Sequence, residues 1–198
     1  EYLALLGHNG SGKSTLARMC NALLVPERGR VLVAGRDTAD AAGPAAARDL
    51  VGMVFQNPDN QIIATRVEDD VAWALAARGY PADRIRERVD WALAAVGIAA
   101  LRNDAPHRLS GGQRQRLAVA GVLALRPQVL VADEITAMLD PLSRAALVAL
   151  LHDLHRTYGL TIIHVTHLLE ETVQADRVVA LDAGQVALAG PPATIFAD

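Results

Sequence analysis

The sequence predicts an α/β protein with a largely parallel sheet, interrupted by a run of helices, and three observations carry that expectation. Short apolar runs bounded by turn residues recur at 2–6, 30–33, 50–55, 129–132, 160–165, 178–181 and 185–189, and helical periodicity fills most of the intervals between them. Gly7, His8, Asn9, Gly10, Ser11, Gly12, Lys13, Ser14 and Thr15 stand between the first apolar run and a helix-forming stretch over 16–24. Between about 61 and 125 the strand signal vanishes, and helical patterns over 67–78, 83–96 and 112–125 follow one another. Strand–helix alternation places helices on both faces of a parallel sheet and gathers ligands at the carboxyl ends of its strands. Residues 1–60 and 126–198 are therefore expected to form the core, and 61–125 a separate helical lobe.

Along the chain, the 2–6 strand runs into the glycine-rich loop, and a helix is expected to begin near Lys13. Residues 37–47 are alanine-rich and contain Gly43-Pro44, which reads as a surface loop or loose helical turn. The 50–55 strand ends at Gln56. In the 67–78 helix the apolar stripe is Val67, Val71, Leu75 and the stem of Arg78, with Trp73 about 200° around from Val71. A large aromatic residue off the stripe needs a second partner. Arg84, Arg86 and Arg88 alternate with Asp83, Glu87 and Asp90, the pattern of a solvated helix face. Over 142–158, Leu147, Leu150, Leu151, Leu154 and Tyr158 share one face and Gly159 supplies the stop.

Composition excludes several classes. A net charge of −3 with 4% aromatic residues lacks both the basic stripe and the stacking platform of a nucleic-acid binder. No apolar run approaches the roughly 18 residues that span a bilayer; the longest is 117–125. The single cysteine, Cys20, cannot form an internal disulfide and suits a small buried position in a reducing, cytosolic setting. No signal peptide is visible at the start, Glu1. There are no repeats or flexible linkers.

Chemistry is concentrated in three places. In the glycine-rich loop the backbone turns tightly enough to aim successive N–H groups at phosphate oxygens, and the following helix presents its positive end to the same anion. Lys13 adds a mobile charge for the β- and γ-phosphates and Ser14 a hydroxyl for Mg²⁺, so the chain is expected to bind a nucleoside triphosphate. Leu109-Ser110-Gly111-Gly112-Gln113-Arg114-Gln115-Arg116 offers a capping serine, two glycines and a helix start, a second anion site. One phosphate loop has no use for it unless it faces the γ-phosphate held by another subunit. Finally, Asp133 and Glu134 end the apolar run 129–132, where one carboxylate can hold Mg²⁺ and the other can orient and deprotonate an attacking water.

With these residues in place, the sequence resembles the ATP-binding subunits of ABC transporters, whose signature is Leu-Ser-Gly-Gly-Gln. The resemblance implies a RecA-like P-loop NTPase core with an inserted signature lobe, and ATP hydrolysis with Mg²⁺. It further implies roles for His167 as the switch histidine on the γ-phosphate, for Gln56 as a metal and water ligand that senses a membrane partner, and for Asp140 in signalling between subunits. His164 reads as a packed or edge histidine. Within the family, Gln56-Asn57-Pro58-Asp59-Asn60-Gln61, Gly7-His8-Asn9-Gly10, Val67-Glu68-Asp69-Asp70-Val71-Ala72 and Met138 resemble the energy-coupling factor (ECF) transporter ATPases of vitamin and transition-metal-ion uptake, either the first of the paired types or the cobalt type.

That resemblance implies a second ATPase subunit stacked head to tail, an integral-membrane coupling subunit, a separate substrate-binding membrane subunit, no nucleic acid, and a peripheral location on the cytoplasmic membrane face. Trp73 then either packs against the signature helix or lines the groove after Gln56 where the coupling subunit docks. Three departures are expected to matter: the family's adenine-stacking aromatic lies outside a chain that starts six residues before Gly7, Ile135 stands where proline or a small residue is usual, and the chain stops before the C-terminal extension that helps many ECF ATPases dimerise. The alternatives are the ATPase of an ABC importer outside the ECF group, differing mainly in the loop after Gln56, and a non-transport ABC protein, which would need a basic surface, a coiled-coil insert or two cassettes.

Overall fold

The computed structural model describes residues 1–197. In chain order its elements are β1 (Tyr2–Gly7), α1 (Lys13–Cys20), β2 (Leu32–Val33), β3 (Arg36–Asp37), α2 (Gly43–Leu50), β4 (Val51–Val54), α3 (Val67–Ala77), α4 (Ala82–Ala95), α5 (Gly111–Leu123), β5 (Val129–Asp133), α6 (Pro141–Tyr158), β6 (Thr161–Thr166), β7 (Arg177–Asp182), β8 (Gln185–Gly190) and α7 (Pro192–Ile195). The main sheet runs β4-β5-β6-β1-β7-β8, and β2 and β3 form a separate antiparallel pair. Strand β1 pairs in parallel with β6 and β7, β5 pairs in parallel with β6, and β7 turns back antiparallel into β8. The expected α/β class with a mostly parallel sheet is what the chain adopts.

By contacts the chain divides into two compact units. The first holds Glu1–Met53, Gln128–Glu134 and the C-terminal part from His155. Its central strands are apolar along their length, α1 packs on β1, β5 and β6, and Tyr2, Ala4, Leu5, Leu130, Val131, Ile162, Val165 and Val178 are buried there. The parallel register sets Leu6 beside Thr166 and Asp133 beside Val165. The ends of β1, β5 and β6 therefore finish at one level.

The second unit comprises Val54–Pro127 and Ile135–Leu154. Helices α3, α4 and α5 pack on one another through Val67, Val71, Leu75, Val89, Leu93, Leu117 and Leu123, all buried. Of the stripe expected on α3, Val67, Val71 and Leu75 are buried, whereas Arg78 lies just past the helix end and is exposed. Leu147, Leu150, Leu151 and Leu154 of α6 are buried too, whereas Tyr158 at the helix end is 47% exposed and does not share their environment.

Four local expectations change. The helix after the phosphate loop stops at Cys20 rather than reaching Leu24, because Ala22 turns to φ 56° and both Leu23 and Leu24 donate back to the Arg18 carbonyl. Residues 43–50 form a regular helix, the helical alternative of the expected surface loop or loose helical turn made firm: Gly43 packs against the Asp37 carbonyl too closely for any side chain, and Pro44 occupies the first turn, where its missing N–H costs nothing. The 30–33 strand shrinks to Leu32–Val33. Cys20 is half-buried, its thiol donating to the Leu16 carbonyl, and burial raises its pKa. Among the described residues no helix is long and apolar enough to cross a membrane.

Candidate functional site

The glycine-rich loop links β1 to α1 and closes on itself through local hydrogen bonds, Ser11 N–H to the His8 carbonyl (3.2 Å) and Leu16 N–H to the Gly12 carbonyl (2.9 Å). Two positions demand glycine. A side chain at Gly7 would stand 2.5 Å from the Leu181 carbonyl oxygen and 2.6 Å from the Ser11 hydroxyl, and Gly12 enters α1 at φ 99°. His8, Asn9, Gly10 and Thr15 are exposed, while Ser11 and Lys13 are buried. The Lys13 ammonium, 3% exposed, donates to the Gly7 and His8 carbonyls at 2.8 and 3.0 Å and lies 3.3 Å from Glu134 Oε1. The Ser11 hydroxyl is buried with no hydrogen-bond partner among the described residues. An ammonium, an unmatched hydroxyl and a helix N-terminus held by one short loop suit an anionic group.

The carboxylates arrive from β5. Asp133 ends the strand, 4% exposed, and its Oδ1 accepts from the Ser14 hydroxyl at 2.8 Å. Burial raises its pKa, and the Ser14 hydrogen bond pulls it partly back. Glu134 has φ 51°, a left-handed conformation that costs a non-glycine residue about 1–2 kcal/mol. Its N–H donates to the Val165 carbonyl at 3.0 Å, so the backbone turns sharply while still tied to β6. The turn aims the side chain at two partners, Lys13 and, at 3.8 Å from Oε2, His167 Nδ1. Lys13, Ser14, Asp133, Glu134 and His167 thus converge where β1, β5 and β6 end. No group of three or more His, Cys, Asp or Glu side chains suited to a metal occurs among the described residues; Ser14 and Asp133 offer two hard oxygen donors side by side.

The remaining expected residues belong to the second unit. Ser110 caps α5 in a reciprocal box, its Oγ accepting from Gln113 N–H at 3.2 Å while its own N–H donates to Gln113 Oε1 at 2.8 Å. A side chain at Gly112 would press on Ser143 at 3.3 Å, and one at Gly111 would touch Leu139 at 3.4 Å. Leu109 is buried, and its carbonyl accepts from Arg114 at 2.8 Å. Asp140 Oδ1 accepts from the N–H groups of Leu142 (3.1 Å) and Ser143 (3.0 Å) at the start of α6, and bonding to Ser143 holds its pKa low. Gln56 is exposed just beyond β4.

Motif reading missed Gln115, which is 1% exposed and donates to the carbonyls of Phe55 (3.2 Å) and Gln56 (3.4 Å), fixing the backbone that presents the Gln56 side chain. A glutamine on the buried side of a helix was the available signal. Trp73 is 56% exposed, in contrast to Val67, Val71 and Leu75 on the same helix, which are buried. His164 is fully buried, as a packed histidine should be.

Fold and loop together define a P-loop nucleotide-binding ATPase. The sequence pattern of the ABC transporter family covers residues 1–137. The chain is 55% identical over 197 residues to the energy-coupling factor transporter ATP-binding protein EcfA1 of Symbiobacterium thermophilum, across 100% of this chain and 69% of that protein. It is 52% identical to the protein of the same description from Clostridium novyi, across 100% of the chain and 71% of the relative. Among solved structures, cbiO1 of Clostridium perfringens, described as part of the ABC transporter complex cbiONQ, superposes with a TM-score of 0.93 at 40% identity, covering 100% of this chain and 80% of that one. An ATP-binding cassette dimer in a post-hydrolysis state with ADP and Pi gives 0.84 at 29% identity, with 97% and 85% covered. The chain belongs to the ABC transporter ATP-binding proteins, in their energy-coupling factor branch, and is an ATP hydrolase.

Proposed function

We propose that this chain is an ATPase subunit that energises an ECF-type importer of vitamins or transition-metal ions, working at the cytoplasmic membrane face. The observation that carries the reading is the convergence of Lys13, Ser14, Asp133, Glu134 and His167 at the carboxyl ends of three adjacent strands. Residues 7–15 bind the ATP phosphates, with Lys13 on the β- and γ-phosphates. Glu134 orients the attacking water and takes its proton as the oxygen joins the γ-phosphorus and the bond to the ADP oxygen breaks. His167 holds the γ-phosphate beside Glu134. Mg²⁺, held by Ser14 and Asp133 with Gln56, would neutralise charge on the β- and γ-phosphates.

Residues 109–113 act on the ATP of a second ATPase subunit stacked head to tail, and the 61–125 lobe carries them. Asp140 passes the state of one site to the other. Gln56 and its loop report to an integral-membrane coupling subunit, which moves a separate substrate-binding membrane subunit. Purification of the full-length protein from detergent-solubilised membranes tests this. Two integral-membrane companions and a second ATPase are expected; recovery with no membrane companion would sink the transporter role.

A further inference from the structure

We propose that Thr166 and Glu171 form a buried clasp that positions His167, making them positioning residues for hydrolysis; the proposal rests on the reading that His167 acts at the γ-phosphate. Strand β6 ends at Thr166, His167 follows, and the chain then enters a 3₁₀ turn at Leu169–Glu171. The Thr166 hydroxyl donates to Glu171 Oε2 at 2.6 Å and accepts from the Leu168 N–H at 3.1 Å. One hydroxyl therefore fixes the residues on both sides of His167. His167 itself is 38% exposed in its side chain, and among the described residues its side chain meets one charged partner, Glu134 at 3.8 Å, so its direction depends on its backbone.

The clasp is anchored from behind. Glu171 Oε2 lies 3.3 Å from His164 Nε2, and His164 Nδ1 lies 2.9 Å from the Tyr2 hydroxyl. Burial raises the Tyr2 pKa, with the Glu171 charge adding to it, so the phenol stays protonated beside His164. Tyr2 sits on β1, between β6 and β7. Thr166, His164 and Glu171 are 1%, 0% and 3% exposed. Burying a carboxylate here costs free energy that an apolar residue would not. What the polar cluster supplies is one fixed geometry for the chain at His167, the support that a reacting group needs from its surroundings.

The test compares Thr166→Val, Thr166→Ser, Glu171→Ala and Glu171→Gln with wild type and His167→Ala, in the full-length protein within its assembled complex. Thr166→Val and Glu171→Ala should each lower kcat by about tenfold or more, the scale of a misplaced reacting group, while KM and nucleotide affinity stay within about twofold. Thr166→Ser and Glu171→Gln, which keep a donor and an acceptor, should restore kcat. Because both lesions open one clasp, the double variant Thr166→Val/Glu171→Ala should be no slower than the worse single. Wild-type kcat in the two disruptive singles, multiplying losses in the double, or equal damage to nucleotide affinity would each overturn the clasp. If Thr166→Val does not fold, Glu171→Ala against Glu171→Gln decides. A His167→Ala protein that hydrolyses normally refutes the role of His167 and with it the clasp; a slow His167→Ala beside a normal Thr166→Val refutes the clasp alone.

Discussion

Glu134→Gln separates the chemistry of this carboxylate from its structural contacts. Glutamine keeps the length and one carbonyl acceptor but removes the charge and the capacity to take a proton. A lost general base lowers hydrolysis by about 10²- to 10⁴-fold, which at about 1.36 kcal/mol per decade raises the barrier by about 2.7–5.4 kcal/mol. The structural cost is much smaller. Lys13, 3% exposed, keeps the Gly7 and His8 carbonyls at 2.8 and 3.0 Å and gains the glutamine carbonyl in place of Oε1. No buried ammonium is orphaned, and exchanging a charge-assisted contact for a neutral one costs about 1 kcal/mol. For a chain of this size that shifts the melting temperature by about 2–4 °C.

Single-turnover hydrolysis at saturating ATP reads the barrier, a thermal melt reads the structural cost, and calorimetric titration of a slowly hydrolysed analogue reads the affinity. The expected pattern is a collapse of kcat with affinity preserved and an ATP-trapped dimer. Turnover within about fivefold of wild type would fall well short of the about 10²-fold or more expected of a lost general base and would remove Glu134 from the proton transfer.

Lys13→Ala should instead weaken nucleotide binding itself, by about tenfold or more, since it deletes a charged phosphate contact present before any chemistry; titration showing unchanged affinity contradicts the placement of Lys13. Ser110→Asp keeps a cap for Gln113 N–H but sets a negative charge against the partner's γ-phosphate, so the monomer should melt normally and fail to dimerise with ATP; light scattering that still shows ATP-dependent dimers refutes the trans role of the signature. Trp73→Ala should change stability by no more than about 0.5 kcal/mol, because the ring is largely exposed, yet should uncouple ATP use from uptake. Wild-type uptake with a normal melt would leave Trp73 without a docking role. Asp140 has a folded pKa below its ordinary value, so its stabilisation is present above the ordinary carboxylate range and fades as pH falls through it. The melting gap between wild type and Asp140→Ala should therefore be full at pH 7 and close in acid; a gap that widens in acid would contradict the cap.

Legibility in the sequence followed the range of the interactions. The phosphate loop, the strand-end carboxylates and the signature are each written within about ten consecutive residues, and local backbone rules read them: Gly12 at positive φ before α1, Ser110 three residues before its reciprocal partner Gln113. The α2 helix was lost because Gly43-Pro44 is a breaker in mid-element and a starter in a first turn. Only the close approach of the Asp37 carbonyl to Gly43 says which applies. Trp73 had a face and two candidate neighbours, and helical periodicity says where a side chain points, not which neighbour is there.

The residues that hold the site together are of a different kind. Tyr2 and His164 are 162 positions apart and meet because β1 and β6 are parallel neighbours, and Ser14 meets Asp133 across 119 positions for a related reason. Nothing in the local pattern of either segment encodes the partner. Glu134 joins the two kinds: its place after a strand-end aspartate was readable, but its left-handed backbone was not. With ordinary extended φ, period-two alternation would send residue 134 to the face opposite 133. The turn at 134, secured by the Val165 carbonyl, allows two consecutive carboxylates to serve one site, Asp133 reaching Ser14 and Glu134 reaching Lys13 and His167. A strain of about 1–2 kcal/mol is less than the about 2.7 kcal/mol or more that the base contributes to the barrier, so function can hold the backbone where propensity would not.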